Sequence, residues 1–293
     1  MGHITRVGLV AKHNLDAAAG VLAEVAGWLD ARQVQAVFET ETAALVGLPP
    51  GRQTVPRDAL PTASDLIVVL GGDGTLIGMA GRIAQAGVDV PILGVNFGSL
   101  GFLTEITLPE LQDALESVLD GTADIDERMM LRARTLREGD VHADRLVLND
   151  LVITKGALSR IIDLSVAVGE QPVMRFRADG LIVATPTGSS AYNLAAGGPI
   201  VHPAVDAILL TPIAPHMLTN RPVVVSASSV VRVEPLMDGS HDEVFATFDG
   251  QWGHALQADD VVEIRRGERP LRIVRSPTRT YFDVLREKLK WNQ

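Results

Sequence analysis

Asp65-Leu66-Ile67-Val68-Val69-Leu70-Gly71-Gly72-Asp73-Gly74-Thr75-Leu76 is the stretch that decides the fold class. An unbroken apolar run from Leu66 to Leu70 reads as a strand buried on both faces. The glycines that stop it, followed by helical spacing from Leu76 to Ala86, read as strand, turn, helix. The same grammar extends outward on both sides. Ile4 to Val10 reads as a strand, and Val21, Leu22, Val25 and Leu29 fall at helical spacing behind it. Val34 to Phe38 reads as a second strand, and Gly47 to Pro61 as a Pro/Gly-rich connection. Val90 to Val95 reads as a strand and Leu108 to Leu119 as an amphipathic helix stopped by Gly121. Strand and helix alternating at this spacing predict an α/β layer fold over residues 1–123.

From about Ile125 the grammar changes. Short strand-like runs follow one another at Met129–Leu136, Arg145–Ile153, Ile161–Val168, Pro172–Phe176, Gly180–Thr185, Val223–Ser226, Ser229–Glu234, Glu243–Phe248, Val261–Arg265 and Leu271–Val274, broken by one helix after Gly188. They predict a β-rich, sandwich-like domain over 124–275. The end, Tyr281 to Trp291, has apolar residues at helical spacing, and the tail 276–293 is expected to pack back on the first domain.

Composition narrows the function classes. The 293 residues carry 26 Lys and Arg against 36 Asp and Glu, a net charge of −10, which disfavours nucleic acid and anionic membranes as partners. With no cysteine, disulfide scaffolds, thiolate metal sites and thiol nucleophiles are excluded. No export signal is visible and no run of about 18 apolar residues could cross a membrane, so a cytoplasmic protein is expected. The histidines offer neither HExxH nor a close ligand pair, so no protein-built metal site is predicted. The serines lack a GxSxG elbow.

Two stretches carry chemistry. At the end of a parallel strand, Gly71, Gly72 and Gly74 let backbone N–H groups approach a phosphate, and the helix that follows adds partial positive charge. Asp73 within that turn would repel phosphate unless a cation intervenes or it receives a proton from a hydroxyl, and both roles belong to phosphoryl transfer. A tight turn with Asp73 as helix cap is the plainer alternative. The second stretch is Asp179-Gly180-Leu-Ile-Val-Ala-Thr185-Pro-Thr187-Gly188-Ser189-Ser190-Ala191-Tyr192-Asn193, with Gly197-Gly198-Pro199 after it. Hydroxyls and a glycine stand there at the start of a helix, and Tyr192 could stack on a flat ring. Asn149-Asp150 offers donors and acceptors for a purine edge or a ribose diol, although a bare turn is the plainer alternative. Phe248-Asp249-Gly250-Gln251 reads first as a hairpin turn. Arg160 and Arg177 could meet phosphate or simply be solvated.

Taken in order, Gly71–Thr75, Asn96–Thr104, Asn149-Asp150, Asp179–Pro199, Thr211–His216 with Asn220–Pro222, Asp249–Gln251 and Tyr281–Trp291 resemble the NAD kinase family. The resemblance implies a nucleotide-binding α/β domain, a β-rich domain carrying much of an NAD site, and transfer of a phosphoryl group from ATP or polyphosphate, with Mg²⁺ or another divalent cation, to the 2′-hydroxyl of NAD. By the same resemblance Asp73 is the base and Gly71, Gly72, Gly74 and Thr75 face the donor phosphates. Asn149 and Asp150 hold the adenosine end and Phe102 walls the adenine. Asp179, Thr187, Ser190, Ala191, Tyr192 and Asn193 line the rest, with Asp249 or Gln251 closing it and Arg160 and Arg177 on phosphate. A homo-oligomer, dimer or tetramer, is implied as well. Two departures stand out: the family usually has Asn-Glu where this chain has Asn149-Asp150, and Thr where it has Ser190. The rival readings are a lipid kinase, a sugar-phosphate kinase and a non-catalytic dinucleotide-binding regulator.

Overall fold

The computed structural model describes residues 3–47, 51–98, 100–156, 161–217, 219–237 and 243–291. The chain divides into two units, Met1–Glu127 with Leu271–Gln293, and Arg128–Pro270.

In the first unit, β1 (Arg6–Ala11), α1 (Ala18–Ala31), β2 (Gln35–Glu39), α2 (Thr40–Val46), β3 (Gln53–Val55), β4 (Leu66–Gly71), α3 (Asp73–Ala86), β5 (Ile92–Asn96), β6 (Ile106–Thr107), α4 (Leu111–Leu119) and β7 (Ile125–Arg128) follow the alternation read from the sequence. The sheet order is β3-β2-β1-β4-β5, and β1 pairs in parallel with both β2 and β4. The chain leaves β1 toward one edge and β4 toward the other, so the switch point of the sheet lies between the carboxyl ends of β1 and β4. The apolar stripe of α1 (Ala18, Leu22, Val25, Ala26, Leu29) and that of α4 close over Val7, Leu9, Leu66, Val68 and Leu93. The unbroken apolar run of β4 is accounted for: all its residues are buried.

Helix α2 lies in a stretch the sequence does not mark. It is only seven residues long, and its N-cap is the buried Glu39, whose carboxylate accepts from the N–H groups of Glu41 and Thr42. A carboxylate cap buried by tertiary packing leaves no local signature. The connection expected from Gly47 to Pro61 contains β3 as well.

The second unit contains β8 (Leu131–Arg137), β9 (Asp140–Val147), β10 (Asp150–Lys155), β11 (Ile162–Val168), β12 (Gln171–Ala178), β13 (Gly180–Ala184), α5 (Tyr192–Ala195), β14 (Ala207–Ile213), β15 (Val223–Ser226), β16 (Val231–Leu236), β17 (Val244–Phe248), β18 (Trp252–Leu256) and β19 (Val261–Arg266). They form two six-stranded sheets, β15-β14-β13-β10-β17-β18 and β12-β11-β16-β19-β8-β9. Leu151, Ile153, Leu181 and Val183 of the first share one core with Leu131, Leu164, Val166, Val233 and Ile264 of the second, which is a sandwich. The opposite face of the first sheet is covered too, with Val152, Ile182, Ala184 and Leu209 packed against Ala196 and Val201. Covering on both faces erases the alternation that would have marked β14, which the sequence reading passes over along with β18.

Three expectations and one alternative reading are corrected. Arg145–Ile153 is not one strand but β9 and β10 in different sheets, broken at Leu148-Asn149. The helix after Gly188 is a 3₁₀ turn, Thr187–Ser190, followed by the single turn α5. Leu271–Val274, read as part of the β-rich domain, is β20 (Leu271–Val274) of the first unit's sheet, paired in parallel with β5 through Ile273 and Ile92. Asp73 is the first residue of α3 rather than its cap, which is Gly72. The closing helix, α6 (Tyr281–Leu289), belongs to the first unit, capped by Thr280 and Asp283 in a reciprocal pair. Among the described residues no helix is long and apolar enough to cross a membrane.

Candidate active site

The glycine turn sits at the switch point. β4 ends at Gly71, and Gly72, with extended backbone (φ −111°), caps α3 without a side chain, so the first amides of the helix have no capping partner. A side chain at Gly71 would crowd Thr75 and Lys12, whereas one at Gly72 or Gly74 would enter open space. Nothing among the described residues therefore demands glycine at 72 and 74. What those positions keep clear is the approach to the amides.

Asp73 turns back from the helix toward the segment after β5. Its Oδ2 accepts from the N–H of Phe102 at 2.8 Å, and its Oδ1 accepts at 3.0 Å from each of the N–H of Leu103, the N–H of Thr104 and the Thr104 hydroxyl. Gly101 is required here, because a side chain would strike the Asp73 carboxylate and Thr104. The loop is held further along by Glu110. That carboxylate accepts from the Thr107 N–H and hydroxyl, from Thr278 and from Arg279. Burial opposes its charge, but the bonds from Thr278, Thr107 and Arg279 outweigh it and bring its pKa down to about 2. Lys288 of α6 lies over the Phe102 ring, 5.5 Å from its centre.

The second unit repeats the device. Asp249 and Gly250, with φ of +50° and +63°, are the first two residues of the three-residue connection of the β17–β18 hairpin, which Gln251 completes. The Asp249 carboxylate accepts from the N–H groups of Leu148, Asn149 and Asp150 at 2.8, 2.8 and 3.0 Å. This is why the apolar run at 145–153 breaks where it does. Burial raises the pKa of Asp249 to about 6 against the pull of those three bonds. Burial, and then the charge of Asp249, raises Asp150 to about 7. The Oδ1 of Asn149 is buried with no hydrogen-bond partner among the described residues. Thr185 donates its hydroxyl to the Leu148 carbonyl at 2.5 Å and accepts from the Gly188 N–H at 3.0 Å, and a side chain at Gly188 would strike the Asn149 backbone.

Asn149, Asp150, Thr187, Gly188 and Asp249 are thus drawn to one end of a sheet. Asp179 is not with them. β13 runs antiparallel to β10 with Asp150 opposite Ala184 and Thr154 opposite Gly180, so Asp179 stands at the far end of these strands, about 17 Å away at 3.4 Å per residue. Its carboxylate pairs with Lys155 at 3.2 Å. Arg177 is exposed and pairs with Asp163 at 3.2 Å. Arg160 lies outside the described residues. Asn193 is buried and engaged inward: its Nδ2 donates to the carbonyls of Ser189 and Pro199, and its Oδ1 accepts from Thr211 at 2.6 Å. Its amide holds the 187–201 segment to the sheet and offers nothing outward, which corrects its place among the ligand contacts. Ser190 makes only a 3.5 Å bond to the Thr187 carbonyl, Ala191 donates its N–H to the Gly188 carbonyl, Gln251 is exposed in the hairpin, and Tyr192 is exposed at the start of α5. The residues to which sequence reasoning gives no individual role are Gly101, Thr104, Thr185 and Glu110. The first two lie in the Asn96–Thr104 segment, and the signal there is a glycine soon after a strand.

Among the described residues no cluster of three or more His, Cys, Asp or Glu is placed to hold a metal ion. A divalent cation carried in on a phosphate-bearing ligand would be ligated largely by the phosphate oxygens.

Residues 7–123 match the ATP-NAD kinase N-terminal domain and 148–276 the ATP-NAD kinase C-terminal domain. A protein of Syntrophotalea carbinolica named NAD kinase is 50% identical over 289 residues, 98% of this chain and 99% of the relative. One of Geobacter sulfurreducens is 46% identical over 288 residues, with the same coverage. Among solved structures, yeast NADH kinase complexed with NADH superposes with a TM-score of 0.90 at 25% identity, covering 100% of this chain and 89% of that one. An NAD kinase from Archaeoglobus fulgidus in complex with ATP gives 0.76 at 25% identity, covering 96% and 99%. Matched through both domains and nearly end to end by such relatives, the chain belongs to the NAD kinase family.

Proposed function

We propose that the chain transfers the γ-phosphoryl group of ATP to the 2′-hydroxyl of the adenosine ribose of NAD, giving NADP and ADP. The observation that carries the reading is the glycine turn at the switch point, with a carboxylate inside it, in a chain matched along its whole length by NAD kinases. The new bond joins the ribose oxygen to the γ-phosphorus as the bond to the β-phosphate oxygen breaks. The hydroxyl proton passes to Asp73. Oδ2 of Asp73 has one bonded donor in the structure, so a lone pair remains for that hydroxyl. The open flank of Gly72 and Gly74 receives the donor phosphates, and Mg²⁺ arriving on ATP offsets their charge. Asn149, through its unpartnered Oδ1, and Asp150 take the adenosine end of NAD. Exposed Tyr192 stacks on the dinucleotide, and Thr187, Ser190 and Ala191 support it.

Polyphosphate is a second donor in this proposal, since it presents the same terminal phosphoanhydride. The protein works in the cytoplasm, in keeping with the absence of cysteine, and as a homo-oligomer, in keeping with the open edges of β15, β18, β12 and β9. The test is NADP formation from NAD and Mg²⁺ with ATP or polyphosphate, wild type beside Asp73→Asn. Turnover in the wild type and its loss in the variant are expected. A folded wild type that makes no NADP with either donor overturns the reading.

A further inference from the structure

Beside the glycine turn stands a cation with no acidic partner among the described residues. β1 pairs with β4 through Ala11 and Leu70, and the pairing continues one residue further, since the N–H of Lys12 donates to the Leu70 carbonyl at 2.8 Å. Lys12 is thereby fixed alongside Gly71, its Cβ 3.1 Å from where a Gly71 side chain would begin. The preceding residue is pinned from the other side: the Ala11 N–H donates to the Thr42 hydroxyl at 2.9 Å, and that hydroxyl donates to the buried Glu39 at 2.6 Å. The backbone at Lys12 is therefore fixed while its side chain is exposed.

Lys12 lines a cavity of about 290 Å³ with His13, Asn14, Glu41 and Arg57. His13 lies 3.5 Å from Glu41, and Arg57 lies 3.4 and 3.6 Å from Glu39 and Glu41, so both of these side chains already face carboxylates. Lys12 alone of the three has no carboxylate within ion-pair distance among the described residues.

We infer that Lys12 binds the terminal phosphoryl group of the phosphate donor. The inference rests on the reading of the chain as a kinase that phosphorylates NAD, and adds to it a residue for the donor side. A lysine ammonium is a mobile point charge suited to a phosphoryl group, and the switch point is where an open α/β sheet receives its ligand. Lys12 reaches that place from β1, one strand over from the turn that carries Asp73. ATP and polyphosphate end in the same group, so Lys12 serves both.

The test uses the full chain with Lys12→Met and Lys12→Arg, varying Mg·ATP or polyphosphate at saturating NAD, then NAD at saturating donor. With Lys12→Met, kcat/KM for each donor is expected to fall about 10- to 100-fold, the size of one charged hydrogen bond, while KM for NAD stays within about twofold. Lys12→Arg restores most of the loss. A non-hydrolysable ATP analogue binds Lys12→Met more weakly than wild type, whereas ADP, lacking the terminal group, binds both alike. Unchanged donor kinetics, or equal losses for NAD and donor, overturn the assignment. Failure of the wild type to form NADP overturns the kinase reading itself, so the two failures are distinguishable.

Discussion

Asp73 and Asp249 occupy turns of similar spelling, each followed by glycine, and each gathers three consecutive N–H groups from a segment distant in sequence. Their surroundings differ. Asp73 shares its loop with a threonine hydroxyl. Asp249 sits beside a second buried carboxylate, Asp150, and both are pushed toward neutral pKa values. One backbone device thus serves two electrostatic purposes. In the first unit it fixes a carboxylate against the loop after β5, and in the second it breaks a strand so that Asn149 and Asp150 come to the end of a sheet.

Asp73→Asn is the harshest test of the comparison, because it removes the proton acceptor and sets an amide against N–H donors. NADP turnover should fall by at least about 10²- to 10⁴-fold, the usual worth of general-base help. Near-wild-type turnover would leave Asp73 only the structural role that Asp249 has. Asp249→Ala should act on stability first. Three part-buried N–H groups lose their acceptor, and urea melts should show a loss of about 2 to 4 kcal/mol. If stability held and only NAD affinity fell, the two aspartates would be alike in function after all.

Acidity separates the regions further. Asp150 and Asp249 hold protons in the folded chain that the unfolded chain has released. Their effect on stability is most favourable below about pH 4 and is lost as pH rises through about 6 and about 7. Glu110 and Asp65 in the first unit run the other way. Burial opposes the charge of Asp65, but Arg6 and Thr5 bring it to about 2, so both groups stabilise above about pH 4 and lose that contribution as pH falls through about 2. Asp150→Asn should therefore raise the melting temperature at pH 8 more than at pH 5, by the equivalent of about 1 to 3 kcal/mol at about 1.4 kcal/mol per pKa unit. A gain independent of pH would remove the proposed proton. The smallest effect is expected from Thr104→Val, which deletes one of four donors to Asp73. Turnover should drop about threefold to tenfold with the fold intact, as seen by activity beside a thermal melt.

Much of the fold is legible in the residues themselves. The run Leu66–Leu70 ahead of Gly71 marks a buried strand and a turn because burial on both faces leaves an unbroken apolar signature. The hairpin at Asp249-Gly250 is legible because two successive left-handed residues favour that pair. Asn193 is not legible in the same way, since an amide beside a serine-rich turn looks the same whether it faces ligand or, as here, Ser189, Pro199 and Thr211. Asp179 stands in sequence next to the residues of the candidate site, yet the strand that follows it carries Thr185 and Gly188 to the other end of the sheet.

The sequence by itself determined the two kinds of architecture, the place of the glycine turn and the family, because periodicity, glycine placement and ordered motifs are local properties of the chain. Only the tertiary structure decided which strand joins which sheet, what Asp73 and Asp249 hold, and that Lys12 stands beside Gly71. Those facts depend on partners as far apart as Leu148 and Asp249, and a hydrogen bond across that distance leaves no mark on the residues between.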